Sequence, residues 1–353
     1  VNVVANRPFQ NILLVRLRSI GDTALMTPAL TALKAWNPNV RITVVTEPLS
    51  APVLEAHPLA DELLVAPRTG HGLKDALARV ALIRRLRRRR FDAAFNMHGG
   101  TTAAWIMRLS GARRRVGYPL PNTKFLLTDC APPPQEIWGK SEIHCVEQQL
   151  GLLKFVGVPV AEPPPSSLAV APAARARVRA RLRGEGVAPD YAVVHPAAAF
   201  ATKQWDATRF AEILAGLAAR GLHPVVVTAA PERAVAEAVR SALAGRAQAA
   251  FITDFSLAEC MALIADCRLF VGNDSGPAHI AAGFGRPLTV IFGSSNDVVW
   301  RPWTTAPHRV VRRRLPCVPC AGYACHAFAE PECIKQVTVG EVEAAIDAVL
   351  GET

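Results

Sequence analysis

Short apolar runs along this chain alternate with longer stretches in which apolar residues recur every three or four positions. Residues 11–17 (NILLVRL) are almost continuously apolar, as in a strand buried on both faces. Residues 23–36 put Leu25, Ala29 and Leu33 on one helical face, with Pro28 starting or kinking part of that helix. Residues 41–45 and 93–96 read as strands, 76–89 as a basic amphipathic helix and 142–156 as a helix. The alternation then starts again. Residues 192–195, 224–228, 268–271 and 288–291 are strand-like, and 232–243 and 257–265 helical; Phe210, Ile213, Leu214 and Leu217 mark another helix, capped by Asp206 or a neighbour. The last helix, 339–350, carries the stripe Val342, Ile346, Val349, Leu350. This order predicts doubly wound α/β layers.

Between the two series lies the proline-rich stretch 161–167 (AEPPPSS), the best boundary in the chain. The predicted division is a domain over 1–162, a second over 163–338 and a terminal helix over 339–353. Two such halves would face each other across a cleft, with ligands beyond the carboxyl ends of the strands.

Charge narrows the picture only partly. The formal net charge is +11, and the excess is clustered at Arg84, Arg85 and residues 87–90, at 113–115 and at 312–314. Such blocks suit nucleic acid, an anionic membrane or a phosphorylated substrate alike, and a solvated helix end equally well. Aromatic residues are not interleaved with them, which argues against nucleic acid. No run approaches the roughly 20 apolar residues that span a bilayer. Residues 1–10 lack the basic end and apolar block of a secretion signal, so a cytoplasmic protein is expected. Of eight cysteines, Cys317, Cys320, Cys325 and Cys333 form C-x2-C-x4-C-x7-C. That spacing could hold a metal; thiols packed in a proline-interrupted tail are the favoured reading, and disulfides are not expected.

The candidate chemistry sits where strands end. Residues 272–279 (GNDSGPAH) follow an apolar run and precede a helix, so backbone N–H groups and the helix dipole favour an anion there. Asp274, Ser275 and His279 add an acid, a hydroxyl and an imidazole, a set that suits a diphosphate linked to a polyol. Asp22 follows the first strand and Gly21; a helix cap is its commoner role, a general base the alternative. Lys203 precedes a helix, where a bare lysine is disfavoured unless an anion binds. Glu232 follows residues 224–228 and is either a first-turn acid or a ligand contact. There is no G-x-G-x-x-G after the first strand, no Walker A motif, no G-x-S-x-G elbow, no H-E-x-x-H and no D-x-D pair. His98, His144 and His195 are too scattered for a zinc site, and an isolated His such as His144 is more often structural. Trp300 and Trp303 read as packing residues.

The chain as a whole resembles glycosyltransferase family 9, the bacterial lipopolysaccharide heptosyltransferases. The resemblance is carried by residues 11–34 (NILLVRLRSIGDTALMTPALTALK), 91–118, 144–158, 202–214 (TKQWDATRFAEIL) and 271–295 (VGNDSGPAHIAAGFGRPLTVIFGSS). The cysteine tail is similar to members resembling heptosyltransferase II. The resemblance implies a GT-B fold of two Rossmann-like domains, acceptor side first, with the terminal helix crossing back to the N-terminal domain. It implies inverting, metal-independent transfer of heptose from ADP-heptose to a lipid A–inner core acceptor, with no cofactor. By position, Asp22 matches the family's base and Lys203 the residue that neutralises the donor diphosphate. Asp274, Ser275, Gly276 and His279 match the donor turn, Ala198, Ala199 and Phe255 nucleotide contacts, and Glu232 the region of a ribose-binding acid. Arg18, Arg115 and His144 are the candidates for acceptor contacts. The implied partners are a nucleotide sugar, an anionic glycolipid and, peripherally, the inner membrane; the protein is expected to be a monomer that binds no nucleic acid.

Two departures stand out: residues 197–200 (AAAF) lack the usual glycines and hydroxyls, and 293–295 read Gly-Ser-Ser instead of Gly-Pro-Thr. They leave room for another donor or a non-lipopolysaccharide acceptor. The rivals from other classes are a nicotinamide-dependent oxidoreductase and a nucleic-acid-binding protein.

Overall fold

The run Ile12, Leu13, Leu14, Val15 is fully buried and forms the centre of a sheet, as a strand apolar on both faces must. The computed structural model describes residues 9–67, 73–320 and 323–353. In it, β1 (Asn11–Val15) pairs in parallel with β2 (Arg41–Thr46) and β4 (Ala93–Asn96). β3 (Glu62–Val65), β5 (Arg114–Gly117) and β6 (Asp129–Cys130) complete a six-stranded parallel sheet of order β3-β2-β1-β4-β5-β6. The second half repeats the plan with β7 (Tyr191–His195), β8 (His223–Val227), β9 (Ala250–Ile252), β10 (Leu269–Asn273), β11 (Leu288–Phe292) and β12 (His308–Arg312). Its order is β12-β11-β10-β7-β8-β9, again parallel throughout. Counted within its own half, each sheet has the Rossmann order 3-2-1-4-5-6, whose direction reverses between the first and fourth strands. That reversal leaves a crevice at the carboxyl ends of β1 and β4 in one unit and of β7 and β10 in the other.

Helices cover the sheets with the apolar faces that periodicity marks. Phe210, Ile213, Leu214 and Leu217 of the helix Ala207–Ala219 enter one core with Val194 and Val226. Asp206 caps that helix as expected, its Oδ1 accepting from Thr208 N at 2.8 Å. Pro28 starts a helix, as expected: it sits in the first turn of Thr27–Trp36, because it cannot donate into a helix continuous with the short one before it, Ile20–Ala24. The basic helix runs Leu73–Arg87. Unforeseen are the helices Thr101–Ser110 and Pro172–Gly184 and the strands β3, β5, β6, β9 and β12. Of these strands β3, β6, β9 and β12 lie at sheet edges, where less need be buried, and the interior β5 is only four residues long and opens with two arginines.

The chain divides after Ala169, beyond the proline-rich stretch. Ser167 explains this: its N–H donates to Thr27 Oγ1 at 3.0 Å and its carbonyl lies 3.0 Å from His57 Nε2, tying the stretch to the first unit. The stripe Val342, Ile346, Val349 of the terminal helix, Val339–Gly351, is buried in the second unit's core, against β11, β12 and the helix Ala207–Ala219. Each such side chain gains about 1.5–3 kcal/mol on burial, enough to commit the helix to that sheet. Among the described residues no helix is long and apolar enough to cross a membrane.

Candidate functional site

In the second unit, β7 and β10 end side by side, Gly272 opposite His195. A side chain at Gly272 would put Cβ 2.8 Å from the His195 carbonyl oxygen, so the close approach requires glycine. β10 carries on to Asn273, and a helix begins at Gly276, so the polar turn is only Asp274 and Ser275. Asn273 is fully buried and stitches the neighbouring loop in place. Its Nδ2 donates to the Pro196 carbonyl at 2.7 Å and its Oδ1 accepts from Trp205 N at 3.3 Å. That loop delivers Lys203, whose Nζ lies 2.8 Å from Asp274 Oδ2. Ser295 Oγ donates to the same oxygen at 2.5 Å, and His279 Nε2 stands 4.0 Å from Oδ1. Buried Asp274 thus fixes a partly exposed ammonium at the end of the sheet.

Ser275 does not cap the following helix; its Oγ lies 3.4 Å from His195 Nδ1. On its other side, His195 Nε2 stands 3.7 Å from Glu232 Oε2. His195 and the Ala229 N–H, which donates to Glu232 at 3.0 Å, hold the Glu232 carboxyl below its usual range although burial pushes the other way. Ala198 and Ala199 lie on the loop after β7, and Phe255 on the loop after β9, all at carboxyl ends of strands. Ser294 Oγ donates to Thr202 Oγ1 at 2.9 Å, and a Cβ on Gly293 would come within 2.0 Å of the Thr202 carbonyl oxygen. The Gly-Ser-Ser triplet therefore clamps the Lys203 loop through Ser294 and holds Asp274 through Ser295.

The first unit has its own polar cluster at the ends of β1 and β4. Arg16 donates to the Met97 carbonyl and forms an ion pair with Asp22 Oδ1. Asp22 Oδ2 accepts from Ser19 N at 3.0 Å and Ser19 Oγ at 2.9 Å, the acidic half of a capping box. Ser19 is therefore the N-cap and Asp22 the third helical residue, its carboxylate partly exposed beside a guanidinium. His98 and Cys145 feel both charges. Burial first, then Arg16, holds the His98 ring below its usual pKa. Burial pushes the Cys145 thiol up to about 11.

The acceptor candidates separate. Arg18 is exposed. Arg115 is bound to backbone, Nε to the Leu126 carbonyl at 2.8 Å and an Nη to the Ala112 carbonyl at 3.0 Å. His144 is buried and caps the helix Cys145–Phe155, Nδ1 accepting from Val146 N at 3.1 Å. Both residues thereby hold the fold, as the commoner reading of an isolated His had it. The sequence reading passed over Arg16, Ser19, Asn273, His195 and Ser295; their signal was position beside a strand end. Cys317, Cys320, Cys325 and Cys333 are free thiols lining one cavity of about 220 Å³, with only Cys333 buried. No three His, Cys, Asp or Glu side chains among the described residues form a metal centre.

Two Rossmann-like units, each with its polar cluster at the switch point, define a GT-B fold. Solved structures share it across nearly the whole chain. A family 9 glycosyltransferase from Veillonella parvula superposes with a TM-score of 0.81 at 20% identity, covering 98% of both chains. Escherichia coli ADP-heptose lipopolysaccharide heptosyltransferase II does so at 0.79 and 21%, covering 97% and 98%. A model of glycosyltransferase family 9 (heptosyltransferase) matches residues 79–328. The chain belongs to glycosyltransferase family 9. Among curated proteins it is 28% identical to lipopolysaccharide heptosyltransferase 3 of Escherichia coli over 82% of this chain and 85% of that one. To the same organism's lipopolysaccharide heptosyltransferase 2 it is 25% identical over 81% and 83%.

Proposed function

We propose that this glycosyltransferase moves heptose from ADP-heptose to the inner core of a lipopolysaccharide acceptor, with inversion. The observation that carries the donor half is the Lys203 ammonium fixed by Asp274 and Ser295 at the β7/β10 switch point, beside a helix N-terminus left uncapped by Ser275. Lys203 and that N-terminus would stabilise the diphosphate as charge develops on it. Asp274 acts through Lys203: it is buried, and one of its oxygens already accepts two hydrogen bonds. Ser275, Gly276 and His279 line the same turn, and Glu232 with His195 suits ribose hydroxyls. Ala198, Ala199 and Phe255 would offer backbone and apolar contacts to the nucleotide.

In the transfer, the acceptor hydroxyl oxygen bonds to the anomeric carbon as the bond from that carbon to the phosphate oxygen breaks. The hydroxyl proton passes to Asp22, and ADP leaves with the bonding pair. Arg16 and Ser19 would hold the Asp22 carboxylate aligned for this, a contribution of about 10²–10⁴-fold for a positioned base. No step calls on a metal. The relatives named for heptose transfer to lipopolysaccharide, and an Escherichia coli heptosyltransferase solved with ADP, support this choice of donor and acceptor. The test is a panel of nucleotide sugars with a core acceptor, scored by release of nucleoside diphosphate and by product mass. Turnover of ADP-heptose that survives EDTA is expected. Preference for another nucleotide sugar would overturn the donor, and strict dependence on Mg²⁺ the mechanism.

A further inference from the structure

Residues 76–90 and 99–128 contain no Asp or Glu. The fold brings these two segments together, because the helix Leu73–Arg87 packs on the helix Thr101–Ser110. On the face they share with the following loop, large apolar side chains stand in solvent. Trp105 is 44% exposed, Leu109 46% and Phe125 69%, and the Trp105 and Phe125 rings meet edge to face with centroids 6.1 Å apart. Leu77 and Val80 on the basic helix are exposed too. Arg85 and Arg89 reach Glu62, but Arg84, Arg87, Arg88, Arg108, Arg113 and Lys124 are exposed and form no ion pair among the described residues.

The second unit shows what an arginine-rich helix looks like when it faces only water. The helix Pro172–Gly184 is as rich in arginine. There Arg175 and Arg179 pair with Asp266, Arg177 with Glu259, and Arg181 with Glu185 and Asp254. Its apolar residues Ala174, Val178 and Leu182 all point inward. The first unit's basic face differs in both respects: Arg84, Arg87, Arg88, Arg108, Arg113 and Lys124 form no ion pair among the described residues, and Trp105 and Phe125 stand in solvent.

We propose that this face of the first unit docks on an anionic phospholipid bilayer. The Trp105 and Phe125 side chains enter the interfacial layer, where aromatic rings are favoured, and the surrounding guanidinium groups and Lys124 engage lipid phosphates. Neither signal suffices alone, since stable peripheral binding takes both an apolar anchor and a basic patch. This deepens the reading of the acceptor as a glycolipid, but its test needs no acceptor.

The experiment is flotation of the full chain with vesicles of phosphatidylcholine containing phosphatidylglycerol, against pure phosphatidylcholine. Binding to the anionic vesicles alone, weakening as salt rises, is expected. Trp105→Ser with Phe125→Ser should cost about tenfold or more in partitioning, and Arg84→Glu with Arg88→Glu about fivefold or more per charge. Arg177→Glu with Arg181→Glu, on the other basic helix, should leave partitioning near wild type. Unchanged melting curves keep the comparison to folded protein. The proposal is overturned by equal binding to both vesicles, by equal losses from the two charge reversals, or by aromatic variants that partition like wild type. It is overturned equally by a face that binds no vesicle but mediates self-association in sedimentation. Because none of these readouts involves sugar transfer, a wrong donor and a wrong surface give different failures.

Discussion

At the reversal of strand order, each sheet carries an ion pair between a basic side chain and an aspartate, and the pairs Arg16–Asp22 and Lys203–Asp274 are inside out with respect to each other. In the first unit the arginine is the buried partner, the Arg16 side chain 8% exposed against 19% for Asp22. In the second the acid is buried, the Asp274 side chain 5% exposed against 21% for Lys203. The same fold therefore presents an anion at one carboxyl end and a cation at the other. A buried countercharge orients the outer group, which remains within reach of a substrate. The difference teaches that a Rossmann-like switch point sets only a location. Which of the two charges the chain places inward decides whether that location suits a base or a diphosphate.

The comparison breaks most sharply at Asp22. Asp22→Asn can keep the hydrogen bonds to Ser19 while losing the charge, so kcat should fall about 10²–10⁴-fold with donor affinity unchanged. Steady-state rates with calorimetric ADP titration check this; equal loss of rate and affinity would mean the anion merely holds the fold. Lys203→Met should weaken ADP binding by about ten- to a hundredfold, the scale of a charge-assisted hydrogen bond of 1.5–3 kcal/mol. It should also destabilise the second unit by about 1–3 kcal/mol, because Asp274 is left buried without its cation. Adding Asp274→Asn should restore most of the stability and none of the affinity, which urea melts and calorimetry can separate.

Acid provides a milder perturbation. Glu232 and Glu259 both titrate below their unfolded values, Glu232 chiefly through His195 and Glu259 through Ser256 and Arg177. Their stabilisation is present above the unfolded carboxylate value of about 4.3 and is lost as pH falls through the lower folded one. The second unit should therefore lose stability below about pH 4.5, and Glu232→Gln should flatten that limb of the melting profile. Smallest of all, Arg177→Ala should change stability by about 0–1 kcal/mol, since its pair is mostly in solvent. A larger change in thermal melts would show that the paired helix is more than a solvated face.

Much of this was legible along the chain. Continuous apolar runs gave β1, β7, β10 and β11 nearly to the residue, because central parallel strands are buried on both faces. Edge strands such as β6 and β12 escaped notice, since partial burial leaves no unbroken pattern. Asp22, Lys203, Asp274 and Glu232 stood out as polar residues just past strand ends. What holds them in place did not: Arg16, which pairs with Asp22, is anchored on Met97, and Lys203 meets Asp274, across separations of 81 and 71 residues. His144 and Arg115, offered by the resemblance as acceptor contacts, are engaged in capping and with backbone carbonyls, bonds that no local pattern announced.

The sequence by itself determined the kind of element at each place and the family to which the chain belongs, because periodicity and motif spacing are local properties. Only the tertiary structure decided which member of each ion pair lies inside, which arginines on the two basic helices find an acid, and which core receives the stripe of the terminal helix. Burial and most of this pairing depend on residues far apart in the chain, and the assembly of each sheet with its own helices is what brings them into contact.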